Sequence, residues 1–479
     1  MLEKAFNLID EINSVINGFV WGVPTIALIL CVGIFMTIRL KGIQFREWGF
    51  MIKKTYVEVF TKKPNQEKTG EGEITSFQAA MASVSAVVGS GNIAGVAAAI
   101  VIGGPGALFW VLVAATIGMA IKYAEIALGV KYRRKMSDGS YAGGPMYYIA
   151  DGLHLKWLGV LVAILTAFFS FVISSVVDTN TMALALQASF GIKPMVSGVV
   201  FAVISAIIIF GGITRIGEVC GLLSPFMAGA YLLAGIACIL LNIRELPGAI
   251  AMILQGAFDP AAVTGGAVGS MLTCMRYGMS RGLLSNEAGI GTAAITHASA
   301  TVNKPAEQAI WGPLEVFVDT FVVCSITGLT IILSGLWNCD EDGVALTMAA
   351  FSKCLPGAWG GYVVVGASVL FGFSCIITYY NYVEKSCMFL FGPKCKTVIK
   401  IIYIPLILVG AYSTLGFVWD MADTCNGLVI IPNLIALVFL SKEVAKMKDE
   451  YYAEELPKYK AEKAAKKAAK KAAREAANR

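Results

Sequence analysis

Long apolar runs separated by short polar stretches dominate this chain of 479 residues. About 20 helical residues cross the hydrocarbon core of a bilayer, and eleven segments are apolar over roughly that length. The strict alternation of polar and apolar positions that is typical of a membrane β-barrel is not seen in the sequence. The pattern therefore predicts an all-α polytopic membrane protein with eleven transmembrane helices. They lie near residues 19–40, 76–102, 106–130, 158–178, 195–213, 221–242, 268–302, 312–336, 360–391, 398–418 and 427–441.

Charged residues are scarce, at 15% of the chain, and basic ones cluster in alternate loops. The polar stretch 39–75 and the loops after the third, fifth, seventh and ninth segments carry lysine or arginine, whereas acidic residues such as Asp178, Asp340 and Asp420 fall on the opposite side. The excess of positive charge marks the cytoplasmic face. We therefore expect a multi-pass protein of the cell membrane with its N-terminus outside and its C-terminus in the cytoplasm.

The segments divide into two sets of five once the first span and its basic loop, residues 1–75, are set aside. One set covers residues 76–242 and the other residues 243–441, and each opens with a glycine-interrupted helix. The two sets enter the membrane from opposite faces. This is the sequence pattern of a 5+5 inverted repeat with two broken helices, as in many secondary transporters.

The remaining residues, 442–479, form a Lys/Ala-rich tail. It holds 12 Lys/Arg and 7 Asp/Glu, so it contributes 12 − 7 = +5 of the formal net charge of +6. Its Lys/Ala-rich repeats, from Lys463 to Arg474, suggest a solvated cytoplasmic helix, either without a partner or in contact with anionic lipid headgroups. Because the rest of the chain is nearly neutral, nucleic-acid binding is disfavoured.

The composition argues against a metal cofactor or an ATP-driven reaction. The eleven cysteines occur singly, only two histidines are present, and no phosphate-binding loop with Gly-Lys-Ser/Thr occurs. A zinc or iron site normally needs clustered thiols and imidazoles. We expect no cofactor apart from a coupling ion.

The first glycine-rich stretch is Gly89-Ser90-Gly91-Asn92, followed by Gly95. Glycine weakens a helix by about 1 kcal/mol relative to alanine, and polar groups at membrane depth need partners. An interrupted helix frees carbonyls for a cation, and the N–H groups of the half-helix near Asn92 can hold a carboxylate. A packing face of small residues, Gly91-x-x-x-Gly95, is the alternative.

The second stretch reads Ser285-Asn286-Glu287-Ala-Gly289-Ile-Gly291. A carboxylate at membrane depth is costly unless it is paired. Glu287 therefore either contacts a ligand or forms a structural ion pair with Arg281 or Arg276, which are close in sequence. Asn286 and Ser285 are candidate pocket groups.

Further candidates lie on neighbouring spans. Thr75 and Gln78 precede the first break and are candidates to line an inward-open cavity, and Phe168 is a candidate to cover a small apolar side chain, although it is equally compatible with a core position. Ser374 and Thr378 share a helix face at i, i+4. With Ser85 and Val88 they could complete a site of hard oxygen ligands, which suit sodium, or they bond back to their own helix.

Several of these motifs, in this order, resemble the alanine or glycine:cation symporter family over residues 15 to 445. The resemblance rests on Gln78 and on the runs 88–95, 103–110, 143–147 and 281–289. It implies a LeuT-like fold, coupling to sodium or less often to protons, and a small neutral amino acid as substrate. It also implies that Ser85 and Val88 lie beside a sodium ion. Cys375 stands where members of the family often have threonine, which leaves Ser374 and Thr378 as the oxygen ligands.

These observations predict a sodium-coupled symporter of small neutral amino acids such as alanine and glycine, working by alternating access. Ion and substrate must favour the same conformation. Proton coupling is the alternative, and an ion channel fits the inverted plan less well. A membrane-embedded enzyme that uses Glu287 would need a second catalytic group at close spacing, such as a His or Asp. We identify none in the spans, so an enzyme is not predicted.

Overall fold

The structure is a computed structural model, which describes residues 2–61, 70–259, 271–357, 359–412 and 416–477. Parts of the predicted basic loop (62–69), of the seventh segment (268–270) and of the tenth (413–415) lie outside the described residues. The α-helices are Leu2–Val20, Val23–Arg39, Trp48–Ile52, Glu58–Thr61, Ser76–Val87, Val96–Gly103, Ala107–Lys131, Pro145–Gly152, Lys156–Val172, Thr179–Phe190, Pro194–Ile209, Gly212–Leu241, Leu246–Phe258, Met271–Asn286, Thr292–His297, Pro305–Ala309, Trp311–Val316, Ser325–Ser334, Gly343–Cys354, Trp359–Phe391, Lys396–Tyr412, Gly416–Phe439 and Ser441–Ala477.

Short irregular elements interrupt these helices. Within the described residues, four π-helical turns cover Lys53–Val57, Gly91–Gly95, Ile173–Asp178 and Phe317–Cys324, and one 3₁₀ turn covers Pro393–Cys395. Two short antiparallel strands pair Arg134–Lys135 with Tyr141–Ala142. Single π turns inside α-helices are frequent at functional sites. Two of the four, Gly91–Gly95 and Ile173–Asp178, contribute residues to the cavity described below.

Seven helical stretches within the described residues are long and apolar enough to cross a membrane, and nine if two bent pairs each count as one span. Two predicted segments fall outside this number. Segment 195–213 corresponds to the 16-residue helix Pro194–Ile209, and segment 268–302 contains the interrupted pair Met271–Asn286 and Thr292–His297. The count of eleven spans and the inverted repeat therefore remain predictions.

Both predicted helix breaks are present. The helix Ser76–Val87 bends by 46° against the continuation Gly91–Gly103. The helix Met271–Asn286 ends where Glu287, Gly289 and Gly291 take positive φ angles of 55°, 97° and 86°. A positive φ breaks the helical hydrogen-bond pattern and is costly for a residue with a Cβ such as Glu287.

The beginning of the tail helix Ser441–Ala477 packs against the rest of the chain. Lys54 pairs with Glu455 at 2.7 Å and Lys41 with Asp449 at 3.0 Å. The ring of Phe50 lies 5.0 Å from that of Tyr452 and 5.7 Å from that of Tyr459. This first part of the tail, before the predicted solvated repeats, therefore packs on the protein, because its tyrosines and acidic residues face the segment that begins at Trp48. From residue 462 to residue 470 the helix is exposed, as expected.

Candidate substrate and cation site

Polar side chains form hydrogen bonds at both ends of the helix Ser76–Val87, which leads into the first break. At the start, Thr75 and Gln78 form a capping box, in which the Gln78 N–H donates to Thr75 Oγ1 at 3.2 Å and the Thr75 N–H donates to Gln78 Oε1 at 3.0 Å. Such a box satisfies two free N–H groups. These two predicted site residues thus start the helix and do not line the central cavity. At the break, Asn92 Oδ1 accepts from the Gly89 N–H at 2.8 Å.

Glycine is required at position 89 for steric reasons. A Cβ placed there would lie 2.7 Å from Cys375 Sγ, whereas a Cβ at Gly91 would meet Ser285 Cα at an ordinary 3.4 Å. The backbone of the first break therefore passes directly against the helix Trp359–Phe391 on one side and against the second break on the other.

Two charged residues of the helix Ala107–Lys131 bind the backbone at the two ends of the second break. Lys122 Nζ donates to the Asn286 carbonyl at 2.8 Å, and Glu125 Oε1 accepts from the Gly289 N–H at 2.9 Å. The carbonyl end of a helix carries partial negative charge, so an ammonium group stabilises it, and a carboxylate stabilises exposed N–H groups. Asn433 Nδ2 adds bonds to Glu125 and to the Gly289 carbonyl, both at 2.7 Å.

The two breaks border one central cavity of about 300 Å³. This is at the lower end of the range for ligand pockets, which is about 300–1,000 Å³. Its walls are mostly small and apolar, with a few charged and polar groups among them. The lining residues are Ala86, Val87, Gly89, Ser90, Gly91, Ala94, Gly95, Ala98, Ile173, Asp178, Arg281, Leu284, Glu287, Asp342, Gly343, Cys375 and Tyr379.

Glu287 lines this cavity, and its partners are hydroxyl groups. Tyr379 donates to Oε1 and Thr292 donates to Oε2. No ion pair joins it to Arg281 or Arg276 in the described part of the chain, so that alternative is wrong. The guanidinium of Arg276 lies over the ring of its neighbour Tyr277, and Arg281 lines the cavity instead.

Asp178, Arg281 and Asp342 complete the charged lining. The π turn Ile173–Asp178 buries Asp178, whose Oδ1 accepts from Ser90 Oγ at 2.8 Å. The prediction that Asp178 lies at the outer side with the loop acids is wrong, because the helix continues through Thr179–Phe190. Arg281 Nε is buried and has no hydrogen-bond partner among the described residues. The cavity therefore presents three carboxylates, those of Asp178, Glu287 and Asp342, and one guanidinium whose Nε has no partner among the described residues.

The residues predicted to hold sodium lie where the first half-helix ends against the helix Trp359–Phe391. Ser374 Oγ donates to the Ser85 carbonyl at 2.9 Å, and Cys375 Sγ lies 3.2 Å from the Ala86 carbonyl. Thr378 Oγ1 contacts Cys220 Sγ at 3.6 Å, and Val88 is fully buried nearby in the chain. One hydroxyl and one carbonyl of the predicted set, Ser374 Oγ and the Ser85 carbonyl, thus meet here, and Ser374 Oγ also bonds back to the Phe371 carbonyl of its own helix at 2.8 Å.

The remaining residues predicted to bind substrate do not line the cavity: some are buried behind its wall, and one lies at the outer surface of the protein. Asn92, Ser285, Asn286, Gly289 and Gly291 are buried behind the cavity wall. Phe168 is 42% exposed and lines a separate outer groove, so it does not cover the cavity. Adjacent positions on a helix point about 100° apart, and it is Phe169 that faces inward, with its ring 5.9 Å from that of Tyr379.

A chain of buried polar residues leads away from the second break. Lys122 Nζ lies 3.6 Å from Glu315, whose Oε1 is 2.7 Å from His297 Nε2. Gln308 connects His297 Nδ1, at 2.7 Å, to Ser76 Oγ, at 2.6 Å. The expectation that the spans hold no His or Asp is wrong, since His297 and Asp319 are fully buried. Isolated charges inside apolar segments are the sequence signal that reveals them.

The fold is that of LeuT-like membrane transporters. The chain superposes on MhsT in complex with L-phenylalanine with a TM-score of 0.59 and 13% identity, covering 79% of this chain and 93% of that one. For a Na⁺-coupled sialic acid symporter the TM-score is 0.50 at 13% identity, with 89% and 86% covered. At this identity the likeness shows the fold alone.

The family model described as the sodium:alanine symporter family matches residues 6–467, so the chain belongs to that family. It is 40% identical to the sodium/alanine symporter AgcS of Methanococcus maripaludis, over 91% of this chain and 95% of the relative. It is 37% identical to the amino-acid carrier protein AlsT of Bacillus subtilis, over 94% and 93%. The chain is therefore a multi-pass membrane transporter and not an enzyme, and the resemblance noted in the sequence is confirmed.

Proposed function

We propose that this transporter carries small neutral amino acids, alanine and glycine, together with sodium across the cell membrane by alternating access. The basic loops support an orientation with the N-terminus outside and the C-terminus in the cytoplasm. The observation that carries the proposal is the single cavity of about 300 Å³ between the two helix breaks, with charges of both signs on its wall.

The charged lining suits a zwitterion. Arg281 offers an unpaired guanidinium, which binds carboxylates through charge-assisted hydrogen bonds. Asp178 and Glu287 are acceptors for an ammonium group. The substrate carboxylate would contact Arg281 and the start of the half-helix at Gly91, and the ammonium group would contact Glu287 and Asp178.

The size of the cavity limits the substrate side chain. Cys375 and Tyr379 form one wall, and the backbone of Gly89 and Gly91 forms another. Such walls leave room for hydrogen, methyl or hydroxymethyl side chains. Steric exclusion rejects large side chains well, but a difference of one methyl group is worth only about 1–3 kcal/mol. Alanine and glycine should therefore compete for the same site.

Sodium would bind beside the substrate, at the end of the first half-helix. The Ser85 carbonyl and Ser374 Oγ are already 2.9 Å apart. Val88 would add a carbonyl and Thr378 a hydroxyl, while the thiol of Cys375 is a poorer ligand for a hard cation than the threonine hydroxyl it replaces. Because these groups come from a broken helix and from the helix Trp359–Phe391, an ion bound between them stabilises the conformation that holds the substrate.

We expect a sodium gradient to drive the accumulation of labelled alanine in proteoliposomes that contain the purified protein. A tenfold inward gradient should raise internal alanine at least about tenfold above the external concentration, because each sodium ion carried contributes its full gradient free energy. Collapse of the gradient with a sodium ionophore should abolish accumulation and provides the control. Equilibration without accumulation would indicate a channel and contradict the proposal.

Proton coupling is the second candidate. It is favoured by the buried chain from Lys122 through Glu315 and His297 to Gln308 and Ser76, which connects the second break to a partly exposed end. Accumulation of alanine in sodium-free vesicles under an imposed pH gradient would support proton coupling, and its absence would support sodium.

A further inference from the structure

A groove of about 470 Å³ lies on the outer surface of the protein and shares no lining residue with the central cavity. Its walls belong mainly to the helices Lys156–Val172, Trp359–Phe391 and Lys396–Tyr412. The lining consists of apolar residues and two cysteines, and it includes Phe168, the residue predicted to cover the substrate. A groove of this volume is large enough for a ligand, and its apolar walls suit hydrocarbon better than a zwitterion.

One wall of the groove presents an apolar stripe to the outside of the protein. Four of its side chains are between 42% and 67% exposed: Trp157, Leu161, Ile164 and Phe168. Their spacing of three or four residues places them on one face of the helix. Because this wall belongs to the stretch Lys156–Phe190, which is long and apolar enough to cross a membrane, its exposed face contacts lipid chains.

A polar pocket of about 580 Å³ adjoins the groove. The residues common to the groove and the pocket are Ile164, Leu390 and Phe391. The charged residues of the pocket are Arg134, Asp151 and Lys156, so its lining has one more positive than negative charge. An apolar groove that opens into a basic pocket matches a molecule with a hydrocarbon chain and an anionic head.

The positive charges of the pocket can bind a further anion. Arg134 pairs with Asp151 through Nε, which donates to Oδ2 at 2.9 Å, and through one terminal nitrogen. A guanidinium has five N–H donors, so three of them are not used by this pair. Lys156 is exposed and makes no ion pair among the described residues. Its ammonium group and the remaining N–H groups of Arg134 are donors for a phosphate.

The polar pocket lies at the cytoplasmic end of the groove in the proposed orientation. There one helix begins at Lys156 and another ends at Phe391, and Arg134 belongs to the basic loop after the third predicted span. Basic pockets between membrane helices on the cytoplasmic side bind the headgroups of anionic lipids. The groove therefore leads from the headgroup level into the hydrocarbon core.

We propose that the groove and the polar pocket together bind one anionic phospholipid of the cytoplasmic leaflet, such as phosphatidylglycerol. An acyl chain fills the groove, and the phosphate binds Lys156 and Arg134. The lipid then lies on the outer side of two helices that form the cavity region, since Phe169 of one contacts Tyr379 of the other with ring centroids 5.9 Å apart. The site is independent of the substrate and of the coupling ion.

Native mass spectrometry of the purified, delipidated chain measures this binding without any transport. The protein is titrated with phosphatidylglycerol, phosphatidylethanolamine or phosphatidylcholine that carry the same two oleoyl chains. We expect the affinity for phosphatidylglycerol to be at least about tenfold higher, because only its headgroup brings a net negative charge to the basic pocket. Equal affinities for the three lipids would show an unselective contact and overturn the proposal.

Two variants test the two halves of the site separately. Lys156→Gln removes the unpaired charge and should lower the affinity for phosphatidylglycerol about tenfold, with little effect on phosphatidylcholine. Ala167→Phe fills the groove, keeps every charge and should also lower the affinity at least about tenfold, because the acyl chain loses its place. Lys193→Gln and Ala230→Phe change an exposed lysine and an exposed alanine elsewhere and should bind like the native chain.

Gel filtration checks that each variant is folded. Native affinity in folded Ala167→Phe would place the lipid outside the groove, and native affinity in Lys156→Gln would place its headgroup outside the pocket; either result would overturn the proposal. Glycerol phosphate, which has the headgroup chemistry without the chains, should not displace the lipid, and displacement would assign the pocket to a soluble phosphate instead. A failure of sodium-driven uptake would overturn the proposed function and leave this site intact.

Discussion

Glu287→Ala is expected to lower the initial rate of sodium-driven alanine uptake at least about 100-fold. The carboxylate lines the cavity and is held by Tyr379 and Thr292, so its loss removes an acceptor for the substrate ammonium group and leaves two hydroxyl groups without their partner. Truncation of a buried charged contact typically costs about 2–5 kcal/mol of binding. Uptake in proteoliposomes measures this effect.

The same variant should remain folded, which gel filtration and thermal unfolding will show. Glu287→Gln keeps the shape of the side chain and should retain more activity than Glu287→Ala, because it can still accept from Tyr379. Glu218→Ala, at an exposed position of the helix Gly212–Leu241, is the control and should transport normally. Normal uptake by folded Glu287→Ala would show that the substrate binds elsewhere.

Lys122→Met is expected to lower the midpoint of thermal unfolding by at least about 5 °C and to abolish transport. Lys122 is fully buried, holds the Asn286 carbonyl at 2.8 Å and lies 3.6 Å from Glu315. Removal of one partner from a buried ion pair costs about 3–5 kcal/mol; here Glu315 keeps its contacts with His297 and Ser83 but loses the ammonium group, and the Asn286 carbonyl loses its donor. A loss of this size shifts the midpoint by several degrees.

The double variant Lys122→Met/Glu315→Gln provides the decisive comparison. It also removes the buried negative charge that loses its lysine partner in the single variant, so we expect it to recover part of the lost stability. Transport should not recover, because the Asn286 carbonyl remains without its ammonium group. Lys193→Met, at an exposed position, controls for the loss of a lysine. An unchanged unfolding temperature in Lys122→Met would contradict the role assigned to this ion pair.

The sequence was sufficient to locate both helix breaks. Glycine and polar residues in the middle of apolar segments are costly in a regular helix, so runs such as Gly89–Asn92 and Asn286–Gly291 identify interrupted helices without any tertiary information. The same reasoning placed Glu287 at the break, where the structure has it lining the cavity. Local rules succeed here because the break is a local property of the backbone.

The tertiary partners of these residues could not be obtained in the same way. Pairing Glu287 with Arg281 assumed that closeness in sequence means contact, whereas the helix directs Arg281 into the cavity and brings Tyr379 to Glu287 from 92 residues away. Asp178 was assigned to a loop because a π turn and its continuing helix leave no mark in a hydropathy pattern. Whether Phe168 or Phe169 faces the cavity depends on how the helix is rotated about its axis. A helix that is apolar on nearly all sides gives no sequence signal for that rotation.

Buried charges inside the spans offered a signal that the sequence analysis did not use. Lys122, Glu125, Glu315 and Asp319 all lie in strongly apolar stretches, where an ionisable residue is expensive and is therefore usually paired or functional. Their roles in holding the second break depend on contacts across the fold. The sequence alone is enough to identify these charged positions as unusual, but it does not show which residues they contact in the folded protein.

The central claim, that the two helix breaks together enclose the transported amino acid, is tested most directly by an experimental structure of the protein with alanine and sodium. We predict density for alanine inside the cavity, between Gly89–Gly91 and Leu284–Glu287, with its carboxylate towards Arg281. Uninterrupted helices at these two places, or alanine bound outside this cavity, would contradict the account.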